Sequence, residues 1–438
     1  MKNINISIEK EIDEITSLHK KGLFKKALEK TDSLNNSNPN NSLIFNAYGV
    51  IYAGLKNFEK SINYFLKAIE IEPKYIKAHN NIASVLTYLG RLEEASKYHI
   101  QITKFKPDYS EAYFNLGKLF FKLGKHEESA HNYAKTIELN PNHDEARINL
   151  IKILTYHNPN KKDLNSYILA NTLLQSTKFD FKSEKEISDS SVSDFFHNCN
   201  EIVNKNLSNL NTEEVQIFRR NAFKFNCERH FEVFDTYKII PENCFSCYKV
   251  QIDLKTVMEL FKLYFVFDNL NLKDNNTRKC IIELRENVSG LYKGYIYCRS
   301  LDEANSIENQ LKKILSKTIV KNFLVKVKRG CTEFGMLYPE YKDIKKNMKY
   351  DEKWRDKEKI VDEKLKDQSV KIVSSNFKNL TGTTLRDVLI MYNWLSYAKK
   401  AGDLSYKKIF ENITISKTIE NLFSDKLSKR SREFDYVS

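Results

Sequence analysis

Four prolines in the first third of the chain lie at a constant interval. Pro39, Pro73, Pro107 and Pro141 follow one another at intervals of 34 residues. Because proline lacks a backbone N–H and its ring clashes with the preceding turn, each one marks a point where a helix has to stop. A fixed period of this length is typical of stacked helix pairs, in which each pair buries its apolar side against the next. The sequence therefore predicts an all-helical solenoid over this part of the chain.

Small and large apolar residues repeat in phase with these prolines. Small residues occupy equivalent places in the units, namely Gly49, Ala83 and Gly117, the pair Gly90 and Gly124, and the pair Ala27 and Ala95. Large apolar residues recur between them, namely Tyr52, Leu86, Phe120, Phe65 and Tyr133, with His99 as a polar exception. Small side chains let two helices approach closely, and large ones fill the remaining space.

This pattern resembles the tetratricopeptide repeat (TPR), a helix–turn–helix unit of the same length. On that resemblance, residues 8–143 are expected to form four units, the first of them degenerate, followed by a capping helix from Asp144 to Tyr156. The predicted TPR solenoid thus covers residues 8–156. The resemblance implies a concave groove that takes a protein or peptide partner.

Amide side chains are concentrated where such a groove is expected. The predicted peptide-binding residues are Asn46, Tyr48, Asn80, Asn81, Asn115 and Lys118. Asparagine both donates and accepts hydrogen bonds, so it can clamp the backbone of an extended peptide. Two alternatives stay open from the sequence. One is that these positions are simply solvated and bind no ligand. The other is that the array serves self-association in a homo-oligomer.

Composition and charge restrict which folds, partners and compartments suit the chain as a whole. The 438 residues, 41% of them hydrophobic, suffice for two or three domains with real cores. The net charge of +14 favours acidic partners, including nucleic acid, although an AT-rich genome would give much of the same bias. No stretch has the length and apolarity of a signal peptide or membrane span, which predicts a cytoplasmic protein without membrane contact. Its seven cysteines are then expected to be thiols or metal ligands.

The segment 244–331 has the alternating patterns of a βαββαβ unit. Its predicted strands are 248–253, 280–285, 293–298 and 323–328, and its predicted helices are 255–270 and 301–316. The common closure of this order is a ferredoxin-like antiparallel sheet with strand order 4, 1, 3, 2. Residues 157–240 are interpreted as a helical connector, with 213–234 as one or two helices, and residues 332–438 as a helical region containing helices 343–366 and 384–401. The predicted fold class is α+β.

Five cysteines are expected to converge at one edge of that sheet. The spacing of Cys244 and Cys247 lets two thiolates grip one metal ion, and a closed site needs two more ligands. The predicted ligands are Cys244, Cys247, Cys298 and Cys331 for zinc or an iron–sulfur cluster, with Cys280, Cys227 and His230 in reserve. A reactive thiol beside Lys249, Arg299 or Arg329 is an alternative. Simple packing of Cys280 and Cys298 in the core is another.

The third predicted strand also suggests a nucleic-acid surface. Residues 293–300, Lys-Gly-Tyr-Ile-Tyr-Cys-Arg-Ser, resemble the RNP1 segment of RNA-recognition motifs, in which strand aromatics stack on bases. The resemblance implies an RNA-binding face made of Tyr295, Tyr297, Lys249, Arg285, Lys326 and Lys328. It departs from the family pattern at Ile296, where a small residue is usual, and at Gln251, where an aromatic is usual.

Three functions are compatible with these features. The first is an adaptor whose repeats recruit a polypeptide to a cysteine-edged module, the second is a thiol- or metal-dependent enzyme acting on that partner, and the third is an RNA-binding protein. The sequence contains no phosphate-binding glycine loop, dinucleotide fingerprint, HExxH or GxSxG motif. No partner, substrate or metal is identified by sequence alone.

Overall fold

The chain forms two compact units in a computed structural model, Met1–Leu150 and Ile151–Ser438. The structure describes residues 2–160, 165–207, 210, 212–219, 227–286, 288–319, 323–331, 333–346, 348–368, 382–413 and 416–430. Residues 157–240, interpreted above as a connector, therefore belong to the second unit.

Antiparallel helices account for the first unit. The helices are α1 (Lys2–Lys20), α2 (Phe24–Ser37), α3 (Ser42–Gly54), α4 (Phe58–Ile71), α5 (Ile76–Tyr88), α6 (Leu92–Phe105), α7 (Ser110–Lys122), α8 (His126–Leu139) and α9 (Asp144–Ile153). These are the four predicted pairs and the predicted additional helix. The turn inside each pair has one residue in the left-handed region, Gly22, Lys56, Gly90 or Gly124, so the 34-residue period is also visible in the backbone.

Close contacts inside the pairs explain the small residues. A Cβ added to Gly49 would lie 2.4 Å from the ring of Phe65, and one added to Gly117 would lie 2.7 Å from Tyr133. The hydroxyl of Ser61 donates to the Gly49 carbonyl at 2.7 Å, and that of Ser129 donates to the Gly117 carbonyl at the same distance. Helix approach at these positions therefore requires glycine.

Among the described residues, the second unit combines nine α-helices and five short 3₁₀ helices with one sheet. Its α-helices are α10 (Ser166–Ser176), α11 (Asp189–Asn206), α12 (Cys227–Tyr237), α13 (Val257–Asn269), α14 (Leu301–Thr318), α15 (Pro339–Lys342), α16 (Arg355–Gln368), α17 (Leu385–Ala401) and α18 (Lys417–Ser428). Its strands are β1 (Gln216–Arg219), β2 (Tyr248–Leu254), β3 (Arg278–Ile282), β4 (Tyr292–Cys298) and β5 (Leu324–Arg329).

The strand order is β1-β3-β4-β2-β5, and every neighbouring pair is antiparallel. The α+β fold class and the order of the four predicted strands are confirmed. The prediction that residues 213–234 are helical was wrong in part, because β1 adds an edge strand to β3. The helix predicted over 343–366 begins only at Arg355, whereas the one predicted over 384–401 is confirmed as α17.

The two faces of this sheet differ in chemistry. Helices α13 and α14 cover one side, which we call the helix face. A Cβ on Gly294 of that side would lie 2.4 Å from Leu263 of α13, so the helix rests directly on the strand. Alternation along the strands places the polar residues on the other side. We call that side the basic face, and it comprises Lys249, Gln251, Lys279, Tyr295, Tyr297, Lys326 and Lys328.

A buried ion network ties the edge strand to the helices. On the helix face, Arg219 of β1 contacts Asp268 at 2.5 Å and Asp387 of α17 at 3.1 Å. Its guanidinium also donates to the Tyr264 hydroxyl at 2.7 Å. The indole of Trp394 in α17 donates to the carbonyl of Val215 at 2.9 Å. Helix α17 therefore holds β1 on the sheet through polar contacts as well as burial.

Candidate functional site

The predicted groove residues lie on the first helices of successive pairs. The side-chain amide of Asn81 on α5 donates to the Asn46 side-chain oxygen on α3 at 2.9 Å, so the two asparagines form a pair across neighbouring repeats. Asn80 and Asn115 are half-buried, and the side-chain oxygen of Asn80 has no hydrogen-bond partner among the described residues. Lys118 on α7 is exposed.

Tyr48 has a different environment from the other groove residues. It is only 5% exposed. Its hydroxyl donates to Asp32 at 2.5 Å, and its ring stacks on Tyr64 with centroids 4.8 Å apart. Burial and this contact with Asp32 raise the pKa of the Tyr48 hydroxyl. Its side chain therefore packs between helices.

Three of the four cysteines predicted as ligands lie close together. The N–H of Gly330, which follows β5, donates to the Cys247 carbonyl at 2.9 Å, and a Cβ on Gly330 would lie 2.3 Å from the Cys247 sulfur. Cys244 and Cys331 share one apolar cluster. Their thiols are hydrogen-bonded, which raises the pKa of Cys244 and lowers that of Cys331. The reserve residue Cys227 has an exposed surface, and partial desolvation and the neighbouring Cys331 raise its pKa.

Cys298 and Cys280 do not have the expected placement. Cys298 pairs with Tyr248 at the predicted edge, but it is fully buried and its thiol contacts the Ile296 carbonyl at 3.8 Å. Cys280 pairs with Gly294 in the middle of the sheet. The cause is the two-residue alternation of strands, which turns both cysteines to the helix face. They pack there as small apolar residues, as the alternative reading allowed.

Metal binding receives no direct support from this arrangement. Over the part of the chain that the structure describes, no three His, Cys, Asp or Glu residues are placed to hold a metal ion. The reserve ligand His230 is buried on α12, where burial and Arg229 lower its pKa, and its Nε2 has no hydrogen-bond partner among the described residues. Zinc or an iron–sulfur cluster stays a prediction.

The residues predicted for nucleic acid share the basic face. Lys249 pairs with Tyr297 on one side and Lys328 on the other, and Gln251 pairs in the same way with Tyr295 and Lys326. Sequence reasoning missed Lys279, which pairs with Tyr295, because the predicted strand began one residue later at Cys280. The period-2 pattern would have found Lys279 if that strand had been extended by two residues.

Burial argues against base stacking on Tyr295. Tyr295 is only 4% exposed, so its ring presents no surface to a base. The ammonium groups of Lys249 and Lys279 each lie 5.3 Å from the centroid of that ring. Arg285 forms two 2.8 Å hydrogen bonds to Glu283 and approaches Glu333 at 3.5 Å. Of the two tyrosines predicted to stack on RNA, Tyr295 is thus buried beside cations, whereas Tyr297 is half-buried.

The lysines of the basic face differ in whether a carboxylate lies within ion-pair distance of them. Lys326 contacts Asp253 at 2.5 Å, and the same carboxylate is 3.5 Å from Lys293. Burial, and then the neighbouring Lys249, lower the pKa of Lys279 to about 8. Burial, and then Lys326, lower the pKa of Lys328 to about 8 as well. The face therefore carries more positive charge than its own carboxylates neutralise.

Comparison with known proteins identifies the first unit. Tetratricopeptide repeat models match residues 44–75, 76–109 and 110–143. No curated protein sequence matches the chain. The described residues contain no helix long and apolar enough to cross a membrane.

Solved structures similar to this chain include TPR proteins. PilF of Pseudomonas aeruginosa is 18% identical, with 33% of this chain and 67% of that chain covered at a TM-score of 0.31. TTC0263, a TPR protein of Thermus thermophilus, is 22% identical, with 32% and 77% covered at a TM-score of 0.28. YrrB, described as a TPR protein with an unusual peptide-binding site, is 19% identical, with 34% and 80% covered at a TM-score of 0.29.

Residues 44–143 are therefore tetratricopeptide repeats. The first helix pair, which was predicted to be degenerate, lies before the matched segments. An array of this kind is a protein-interaction module, because stacked repeats expose an extended concave surface.

Proposed function

We propose that the first unit binds an extended polypeptide segment along α3, α5 and α7, and that the chain is an adaptor which brings this segment to its second unit. The observation that supports the proposal is the row of amides formed by Asn46, Asn81 and Asn115, one on each of three successive repeats. Asn46 and Asn81 already hydrogen-bond each other across two repeats. Such amides can exchange their mutual contact for the backbone groups of a peptide.

Peptide selection tests this proposal directly. Random 12-residue peptides displayed on phage would be selected against the full chain, and the affinity of an enriched peptide would be measured by calorimetry. We expect the variant N81A/N115A to bind that peptide at least 10-fold more weakly. N132A on the second helix α8 is the matched control, since it removes the same type of side chain elsewhere, and it should bind normally.

Two results would overturn the peptide proposal. One is a selection that enriches no peptide, or one whose peptide binds N81A/N115A as well as the wild type. The other is sedimentation showing that the chain forms an oligomer that N81A/N115A dissociates. In that case the groove is occupied by a second copy of the chain.

A second candidate function concerns the thiols. We propose that Cys227, Cys244, Cys247 and Cys331 together hold zinc or an iron–sulfur cluster, with Cys227 in the place expected for Cys298. The proximity of Cys244 to Cys331 and of Cys247 to Gly330 supports this set. Thiolates at the ends of adjacent strands suit a closed tetrahedral site.

Metal analysis tests the second candidate. Elemental analysis and an absorption spectrum of anaerobically purified protein would be compared with those of C244S/C247S and of C298S, the matched control from the helix face. Zinc or cluster absorbance that is lost in C244S/C247S and kept in C298S would support the site. A wild-type protein without bound metal would exclude it, and a rapidly alkylated Cys331 would then favour a thiol-dependent enzyme.

A further inference from the structure

Lys249 is a buried lysine whose pKa is lowered by burial, and it has no ion-pair partner among the described residues. It lies in β2 with only 8% of its surface exposed, and its ammonium faces the ring of Tyr295. Among the described residues no carboxylate lies within ion-pair distance of it, although buried lysines in proteins are normally paired. A cation–π contact offsets only part of the cost of removing an ammonium from water.

The surroundings of Lys249 add further positive charge. Lys328 of β5 is its cross-strand neighbour, and Lys279 lies against the same tyrosine ring at the same 5.3 Å distance. The amide oxygen of Gln216, at 3.0 Å, is a neutral partner for Lys279. Lys328 also lacks a carboxylate within ion-pair distance in the described part of the chain. Lys249 and Lys279 therefore approach the same ring, and Lys328 lies beside Lys249 on the next strand.

The nearby carboxylates are already in use. Asp253 is shared by Lys326 and Lys293, and Glu283 holds Arg285. Glu333, the remaining acid, is 3.5 Å from Arg285, and it is also the carboxylate that most opposes the lowering of the Lys249 pKa by burial. Cations on and around the basic face are Lys249, Lys279, Arg285, Lys293, Lys326 and Lys328, against the acids Asp253, Glu283 and Glu333. The surplus is positive and lies at Lys249, Lys279 and Lys328.

We infer that this region binds a small phosphate-bearing molecule, whose phosphate contacts Lys249, Lys279 and Lys328. A phosphate group brings close to two negative charges and several acceptor oxygens, which suits ammonium donors that share one face of the sheet. Partial burial strengthens such contacts, because the local dielectric constant is lower than that of water. The ligand would supply the counter-charge that the protein does not supply itself.

Burial also selects a small ligand over a nucleic-acid strand. Gln251 and Tyr295, at the centre of the basic face, are each only 4% exposed, so bases could not stack there. Arg285 acts on the pKa of Tyr295 and pairs with Glu333, so these two side chains lie at the same side of the sheet. A single phosphate or pyrophosphate group needs only the ammonium groups themselves.

Inorganic pyrophosphate is the probe for this inference. Calorimetry and thermal unfolding of the full chain would be measured at pH 7 and constant ionic strength, with sodium chloride as the reference salt. We expect saturable binding of pyrophosphate and a rise of several degrees in Tm. K249M and K328M should each weaken binding at least 10-fold. K313M, an exposed lysine of α14, is the matched control and should bind as the wild type does.

The controls separate loss of the site from loss of folding. K249M must retain a cooperative unfolding transition with a Tm no lower than that of the wild type without ligand. The inference is wrong if pyrophosphate does not bind, or if K249M and K328M bind it normally. It is also wrong if a 12-nucleotide single-stranded RNA binds at these lysines while pyrophosphate fails to compete.

Discussion

Two buried basic residues of the sheet, Arg219 on the helix face and Lys249 on the basic face, differ in their partners. On the helix face, Arg219 is held between Asp268 and Asp387 and donates to the Tyr264 hydroxyl. On the basic face, Lys249 is at least as well buried and has no carboxylate partner among the described residues. A paired buried cation holds elements together, whereas an unpaired one can take an anionic ligand as its partner. One sheet thus combines a stabilising contact with a binding site.

Removing the paired cation should have the largest effect. R219M leaves Asp268 and Asp387 without their common partner, and breaking a buried pair in this way costs on the order of 3 to 5 kcal/mol. Urea unfolding monitored by circular dichroism would measure the loss of stability of the second unit. If the loss were below about 1 kcal/mol, the ordinary net value of one hydrogen bond, the two carboxylates would not depend on Arg219.

The corresponding substitution on the basic face, K249M, should raise the free energy of unfolding where R219M lowers it. K249M removes an unpaired charge and keeps an apolar chain of similar length, so we expect the free energy of unfolding without ligand to rise by about 1 kcal/mol. Urea unfolding is again the measurement, and K313M is the control. A clear loss of stability in K249M would mean that its ammonium has a stabilising role, and the contrast between the faces would disappear.

The stability of the second unit should also depend on pH through two lysines of the basic face. The pKa values of Lys279 and Lys328 are about 8 in the folded chain, below the value of about 10.4 for a free lysine. Between these limits the unfolded chain binds more protons, so stability attributable to the two lysines should rise as pH increases above 8. The difference in unfolding free energy between wild type and K279M/K328M, measured from pH 7 to 9.5, isolates this contribution. We expect the wild type to gain on the order of 2 to 3 kcal/mol relative to the variant, with the half-exposed Lys328 contributing less than Lys279. A constant difference would refute the depressed pKa values.

The smallest effect is expected at Glu333. Its contact with Arg285 is half-exposed, and such pairs contribute roughly 0 to 1 kcal/mol, so E333Q should leave the stability almost unchanged. It removes one of the three acids near the basic face, which should tighten pyrophosphate binding about 2- to 3-fold. Calorimetry measures this change, and E340Q on α15 is the control. Weaker binding in E333Q would place Glu333 among the groups that support the ligand.

Sequence reasoning was most successful where a period decides the structure. The helix pairs follow from the proline interval, and the order of the four predicted strands follows from their alternation with two helices. The strand β1 was missed, because four residues carry too little pattern to distinguish a strand from a helix turn. Its pairing with β3 depends on contacts with α17, nearly 180 residues away in the sequence.

The site was less predictable than the fold for two physical reasons. The first is that a strand boundary displaced by two residues hid Lys279 and put Cys280 at the wrong place. The second is that the pairing of a buried charge depends on residues distant in sequence, such as Asp253 beside Lys326. The sequence showed that Lys249 is basic, and only the three-dimensional structure shows that it lacks a partner.

The contacts of Gly49 and Gly117 limit how new repeats could be assembled from this array. Each glycine faces an aromatic ring, Phe65 or Tyr133, on the second helix of its own pair. The intervening pair has Ala83 at the glycine position, and its second helix carries His99 at the position of the ring. A recombinant repeat that joined α5 to α4 would press the Ala83 methyl group into the Phe65 ring. The two helices of a repeat therefore have to be inherited together, and exchange between repeats should succeed only for whole pairs.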